Sequence, residues 1–347
     1  MKNEQWILSK RPVGVPNLET DITLKRIETR DLNFGEILIE TQYLSLDPYM
    51  RGRMNAGPSY ATPVEIGGVM EGEVIGKIIE SKSKLYKKGD FVNTRMGWQK
   101  YGIVNEKSQI NKIDFPSGLP ITYSLGVLGM PGRTAYLGFT EVCKPKPGET
   151  IVISAASGAV GSIVGQIAKL MGCRVIGIVG NDSKVKYCKE TLNFDICLNY
   201  RKQDIDKELG KIGENFVDMY FDNVGGEVSD AVMNHISLYS RTAICGQIAI
   251  YNSSSIPTGP RVARTLLTKQ STMQGFIVFN YEHKYPEAMN ALIRWVQSGE
   301  IVYKYYYHFG LSVQTDDGLV APVIKNVDQK SVLELAKEIQ DVAERAR

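Results

Sequence analysis

The run Ile151-Val152-Ile153-Ser154 leads directly into Ala155-Ala156-Ser157-Gly158-Ala159-Val160-Gly161, and that segment into an apolar helical stretch over 162–171. Small residues at AxxGxxG spacing between a strand and a helix imply a tight turn and close strand–helix packing, with Gly161 at the packing position. The start of such a helix points backbone N–H groups outward, and its aligned peptide dipoles favour negative charge there. A pyrophosphate suits that geometry. The AxxGxxG turn from Ala155 to Gly161 is therefore the candidate pyrophosphate site.

From this turn onward, strand-like apolar runs alternate with helical patterns. Strands are expected at 150–154, 174–179, 196–199, 217–222, 241–245 and 273–278, with a last helix over 282–297 that ends at Ser298-Gly299. Alternation of that kind gives a doubly wound parallel sheet of the Rossmann type, an α/β fold. The earlier part of the chain reads differently. Short β-rich runs at 37–39, 69–79, 91–92 and 102–104, punctuated by turns such as Lys88-Gly89-Asp90, point to a small antiparallel β-barrel. The expected domains are 1–122 for the barrel and 123–297 for the parallel sheet, with 298–309 as a return segment and 310–347 as an atypical tail. A chain of 347 residues is the right length for two cores.

The formal net charge is +3 with no Lys/Arg block, so nucleic-acid binding is not expected. Residues 1–18 mix charges, Gly and Pro, unlike a signal peptide, and no stretch reaches the roughly 20 apolar residues of a membrane span. A cytoplasmic protein is the expectation. Cys143, Cys173, Cys188, Cys197 and Cys245 are widely spaced and read as buried reduced thiols. With no CxxC pair, and with His235, His283 and His308 far apart, no zinc site is expected.

The second strand of the parallel sheet ends in Gly180-Asn181 rather than in the acidic residue that would hold ribose hydroxyls. A small residue there leaves room for a 2′-phosphate. Lys184 is placed to meet that charge, and Tyr200 and Arg201 follow the third strand at the same end. The reading is NADPH.

Five long segments carry a resemblance. They are Tyr43-Leu44-Ser45-Leu46-Asp47-Pro48-Tyr49-Met50-Arg51-Gly52, then Leu128-Gly129-Met130-Pro131-Gly132-Arg133-Thr134-Ala135-Tyr136, then the run from Ala159 to Lys169, then Tyr220-Phe221-Asp222-Asn223-Val224-Gly225-Gly226-Glu227, and Cys245-Gly246-Gln247-Ile248-Ala249-Ile250-Tyr251-Asn252. They resemble the zinc-independent medium-chain dehydrogenases/reductases, in the prostaglandin reductase and alkenal double-bond reductase branch. The resemblance implies a GroES-like catalytic domain beside the Rossmann domain, a homodimer, and NADPH-dependent reduction of the carbon–carbon double bond of α,β-unsaturated aldehydes and ketones. It carries NADPH contacts onto Gly158, Ala159, Val160, Gly161, Lys184, Tyr200 and Asn223. Further contacts fall on Cys245, Gly246, Gln247, Ile248, Ala249, Ile250 and Tyr251, and on Phe276, Ile277 and Val278 beside the nicotinamide. Tyr251 is the implied phenol for the substrate oxygen or the proton relay, and Tyr49 the implied pocket tyrosine. Where zinc-dependent relatives carry Cys and Gly-His-Glu ligands, this chain has the Asp47 segment and Ile66-Gly67-Gly68. A quinone reductase of the same superfamily is the alternative reading.

Beyond about Tyr307 the chain departs from that family. Phe309-Gly310-Leu311-Ser312-Val313, Asp316-Asp317-Gly318-Leu319-Val320-Ala321-Pro322-Val323-Ile324-Lys325 and a helical run over 331–347 resemble a fragment of a dihydrolipoamide acyltransferase catalytic domain. That family's His-containing catalytic motif does not appear, so acyl transfer is not expected. An NADPH-binding protein impaired by its altered C-terminus is a third reading.

Overall fold

The computed structural model describes residues 1–303, apart from Pro58 and Ser117, and the backbone of four short strands between residues 309 and 324. The expected 331–347 helix lies outside the described residues. Two compact units contain Met1–Phe115 and Pro116–Tyr303.

In the first unit five antiparallel strands form one sheet in the order β6-β3-β4-β5-β7. They are β3 (Glu36–Leu44), β4 (Val74–Ser81), β5 (Phe91–Thr94), β6 (Tyr101–Asn105) and β7 (Ile110–Lys112). Ile37, Ile39, Val74, Ile78 and Val92 point to one side and are fully enclosed, the alternation expected of a sheet with one buried face. A hairpin of β1 (Lys2–Leu8) and β2 (Ile22–Glu28) joins through bridges at Gln5–Gln99 and Ile7–Val69. The sequence reading missed these two strands and β7. The hairpin exposes most of one side, so Lys, Glu and Arg interrupt the apolar alternation that marks a strand. One helical turn, α1 (Tyr49–Arg53), follows β3.

In the second unit six parallel strands run in the order β10-β9-β8-β11-β12-β13. They are β8 (Thr150–Ser154), β9 (Arg174–Val179), β10 (Ile196–Asn199), β11 (Val217–Asp222), β12 (Ile236–Ile244) and β13 (Thr272–Gly275). Four strands match the expected limits. β12 starts five residues early, because Tyr239 takes a left-handed φ of 61° and the pairing with β11 skips from Ile236 to Arg241. β13 stops at Gly275 instead of Val278, since Phe276 turns into the core. Helices α2 (Met130–Leu137), α3 (Gly161–Leu170), α4 (Asp182–Glu190), α5 (Ile205–Ile212), α6 (Gly226–Met233), α7 (Ala263–Lys269) and α8 (Tyr285–Gln297) flank the sheet. The expected helix over 282–297 divides: a 3-10 segment runs to Lys284, and Pro286 in the first turn of α8 sets the new start. Every residue of β8 is buried, as a central strand covered on both faces requires. Among the described residues no helix is long and apolar enough to cross a membrane.

Candidate functional site

In the second unit the strand order reverses between β8 and β11, and ligands of doubly wound sheets bind beyond the carboxyl ends at that point. The turn after β8 is built on Ala155, held at a φ of 49°, whose carbonyl accepts from Gly158 N at 2.9 Å. A Cβ on Gly161 would stand 2.6 Å from Ala155 O and 3.0 Å from Ala156 Cα. Only glycine lets α3 start this close to β8. Gly158 and Ala159 remain exposed at the helix start, Val160 is half-buried and Gly161 buried, an open cradle suited to an anion.

The tips of β9 and β10 meet the adjoining helix in the same way. Asn181 caps α4, its Oδ1 accepting from Lys184 N at 2.9 Å and from Ser183 Oγ at 2.8 Å. That cap places the exposed Lys184 in the first turn. The Tyr200 ring lies against Gly180, where a Cβ would come within 3.0 Å of the phenol oxygen. Asp182 is the acidic residue nearest this tip, and it is engaged by Lys202 Nζ at 2.5 Å and Asn199 Nδ2 at 2.6 Å. Those partners hold its carboxyl below the usual range and offset its charge, leaving Lys184 and Arg201 exposed at the strand tips.

Across the switch point, Asn223 Nδ2 donates to Ser154 O at 2.8 Å. The segment after β12 turns back over it: Ile248 N donates to Asn223 O at 3.4 Å and Ala249 N to Val224 O at 3.0 Å. Within this segment Gln247 N donates to the Tyr251 hydroxyl at 3.4 Å. Burial raises the Tyr251 phenol above its ordinary value, so it stays a neutral O–H at physiological pH. Burial likewise pushes the Cys245 thiol up to about 12, which makes it an inert packing group rather than a nucleophile. Phe276 and Val278 are buried and Ile277 half-buried. Phe276 meets Phe221 edge-on at 6.0 Å, and a Cβ on Gly138 would fall 2.3 Å from its ring. Gly138 thus makes the space for Phe276, a role no glycine motif in the sequence announced.

The structure therefore gathers Gly158, Ala159, Val160, Gly161, Lys184, Tyr200, Asn223 and the 245–251 segment at the carboxyl ends of one sheet. Tyr49 belongs to the other unit. There Arg53, 2% exposed, pairs with Glu71 at 3.0 Å and lies over the Tyr49 and Tyr60 rings at 5.5 Å and 4.6 Å. Burial, and then the Glu71 and Asp47 charges, raise the Tyr49 phenol far above its usual range. Among the described residues no group of three His, Cys, Asp or Glu side chains could hold a metal ion.

Asp47 had no role in the sequence reading beyond its segment. Its Oδ2 is enclosed without a hydrogen-bond partner among the described residues. Burial raises its carboxyl to about 6; Ser45 and Arg95 act against the shift, while Glu73 adds to it. An unfolded Asp titrates near 4, so the folded state holds this proton more tightly. The stability Asp47 contributes is complete below about pH 4 and is lost as pH rises through 6. Asp47→Asn should accordingly be more stable than the parent by up to about 3 kcal/mol at pH 8, the gap closing toward pH 4, in thermal melts across that range.

Residues 4–113 match the family described as the N-terminal domain of oxidoreductase, and residues 159–295 the family described as zinc-binding dehydrogenase. The chain is 41% identical over 308 residues to the NADPH-dependent curcumin reductase of Escherichia coli (strain K12), covering 87% of this chain and 88% of that one. The chain belongs to the medium-chain dehydrogenase/reductase family. A second relative in this family, the 2-alkenal reductase (NADP(+)-dependent) of Nicotiana tabacum, is 39% identical over 308 residues, covering 87% and 89% of the two chains. The crystal structure of CurA from Vibrio vulnificus in complex with NADPH superposes with a TM-score of 0.82 at 42% identity, over 87% of this chain and 90% of that one. The resemblance read from the sequence, and the pairing of an antiparallel catalytic domain with a parallel sheet, are borne out. Residues 277–347 also match the 2-oxoacid dehydrogenases acyltransferase (catalytic domain) family. That match begins well before the departure expected near Tyr307 and overlaps the dehydrogenase match over 277–295.

Proposed function

We propose that this medium-chain dehydrogenase/reductase is an NADPH-dependent reductase of the carbon–carbon double bond in α,β-unsaturated aldehydes and ketones. The observation that carries the reading is the gathering of the glycine cradle, Asn223 and the Tyr251 phenol at one switch point, in a chain about 40% identical to reductases named for NADPH and alkenals.

The residues present fit the cofactor. The Gly158–Gly161 turn would hold the pyrophosphate, and the exposed Lys184, with Tyr200 packed on Gly180, would hold the 2′-phosphate. Asn223 and the segments 245–251 and 276–278 would border the nicotinamide. When bound, the reduced ring supplies the hydride. The protein's own share is to place the substrate's β-carbon at that ring and to offer a hydrogen bond where negative charge grows on the carbonyl oxygen. Tyr251, neutral and half-buried, is assigned as the donor for that oxygen, and its proton as the one relayed to the α-carbon and replaced from solvent. Tyr49, also neutral, is assigned to hold the substrate.

NADPH oxidation should be followed with a simple enone and, separately, with a quinone. Faster turnover of the enone supports the proposal; faster turnover of the quinone supports the quinone reductase alternative. NADPH binding without turnover of either identifies an impaired binder. Lys184→Ala should weaken NADPH binding about tenfold or more while leaving NADH binding unchanged, because only NADPH bears the charge that Lys184 meets. Fluorescence titration of both nucleotides checks this, and equal losses for the two would remove Lys184 from the 2′-phosphate site.

A further inference from the structure

One buried carboxylate ties together three of the strand ends from which the candidate site is built. Asp222, the last residue of β11, is 3% exposed. Its Oδ1 accepts from Ser154 Oγ at 3.0 Å, from the Tyr220 hydroxyl at 2.8 Å, and from Val224 N and Gly225 N at 3.0 Å each. Its Oδ2 accepts from Ser229 Oγ. Its backbone carbonyl takes both Cys245 N at 2.8 Å and Gly246 N at 3.1 Å. The Ser154 hydroxyl, fully enclosed at the end of β8, donates to Asp222 and in turn accepts from Asn223 N at 2.8 Å. Burial and the Asp222 charge keep the Tyr220 phenol protonated, so it remains a donor. The carboxylate is satisfied by hydroxyls and backbone N–H groups rather than by a cation, and each of those donors is thereby fixed in direction.

What this does to Asn223 is specific. Its backbone N–H and its side-chain Nδ2 are both committed to Ser154, at Oγ and at the carbonyl. The side chain's remaining polar atom is therefore an acceptor, Oδ1. We propose that Asp222, acting with Ser154, is the positioning residue of the cofactor site: it locks the ends of β8, β11 and β12 together so that Asn223 presents an acceptor, and the Cys245–Gly246 turn a fixed backbone, to the nicotinamide end of the dinucleotide. The carboxamide of that ring carries N–H donors that match an acceptor. The proposal rests on the NADPH reading above and adds the residue pair that orients its contacts.

The molecule supplies its own control. Asp218, four residues earlier on β11, joins the same three strands at their opposite ends: Thr150 N of β8 donates to its Oδ2 at 2.8 Å and Ser237 Oγ of β12 to its Oδ1 at 2.8 Å. Four strand residues separate the two clamps by roughly 13 Å. A carboxylate that only held the sheet together would behave alike at either end.

The test compares Ser154→Ala, Asp222→Asn and Asp218→Asn in the full chain, by melting temperature and by titration with NADPH and with adenosine 2′,5′-bisphosphate. The bisphosphate carries the adenosine end alone. Ser154→Ala and Asp222→Asn should each weaken NADPH binding at least about tenfold, while adenosine 2′,5′-bisphosphate binds within about twofold of the parent. Asp218→Asn should lower the melting temperature and leave both affinities within about twofold. Undiminished NADPH binding by both Ser154→Ala and Asp222→Asn overturns the proposal. So does a parallel loss of the bisphosphate, which would mark a general loss of fold, or an equal loss of NADPH affinity in Asp218→Asn. A parent chain that binds neither compound overturns the NADPH reading itself, and the proposal with it.

Discussion

Replacing Tyr251 with Phe lowers enone turnover about a hundredfold and changes NADPH affinity by less than about twofold, in steady-state rates and fluorescence titration. The reason is the split in what the residue does. Its backbone and ring shape the segment that folds over Asn223, with Gly246 beneath the phenol, where a Cβ would come within 3.2 Å of the hydroxyl. Phe keeps that packing. The O–H is lost, and with it the donor positioned for charge that develops in the transition state. Because burial raises the phenol, its ionisation should not limit turnover anywhere between pH 6 and about 10. A rate that falls through a single ionisation near pH 8 and is insensitive to Tyr251→Phe would assign the proton elsewhere.

Gly161→Val should abolish measurable NADPH binding and lower the melting temperature by about 5–10 °C, equivalent to roughly 2–3 kcal/mol of overpacking. The atoms its Cβ would meet, Ala155 O at 2.6 Å and Ala156 Cα at 3.0 Å, are backbone and cannot rotate away. Helix α3 would have to retreat from β8, carrying the N–H cradle with it. Gly158→Ala is the contrast: that glycine is exposed and its nearest neighbour would be a single oxygen at 3.1 Å. It should lose affinity with little loss of stability. Calorimetric melts and nucleotide titration of both variants test this; unimpaired binding in Gly161→Val would place the pyrophosphate away from this turn.

The parallel sheet was legible because its strands are largely buried on both faces and so appear as short, mainly apolar runs: β8, β9, β10 and β11 fall where Ile151, Val175, Cys197 and Met219 lead one to expect them. The half-exposed hairpin of β1 and β2 and the edge strand β7 were not, since solvent-facing Lys, Glu and Arg dilute the period-two signal. The glycine cradle was visible for the same local reason that makes it work, a strand, turn and helix in one stretch of chain. Three features were hidden. Gly138 is separated by more than a hundred residues from the Phe276 it accommodates, Asp47 acquires its raised carboxyl only from burial, and Ser154 meets Asp222 only when β8 and β11 pair. Those are products of tertiary packing, which spacing along a chain does not encode.

In the proposed reaction hydride reaches the β-carbon of the enone rather than its carbonyl carbon. The measurement is reduction of a simple enone with NADPH carrying deuterium at the transferable C4 position, followed by NMR of the product. Deuterium on the β-carbon of a saturated ketone is the predicted result. Deuterium on the carbonyl carbon of an allylic alcohol would contradict the account.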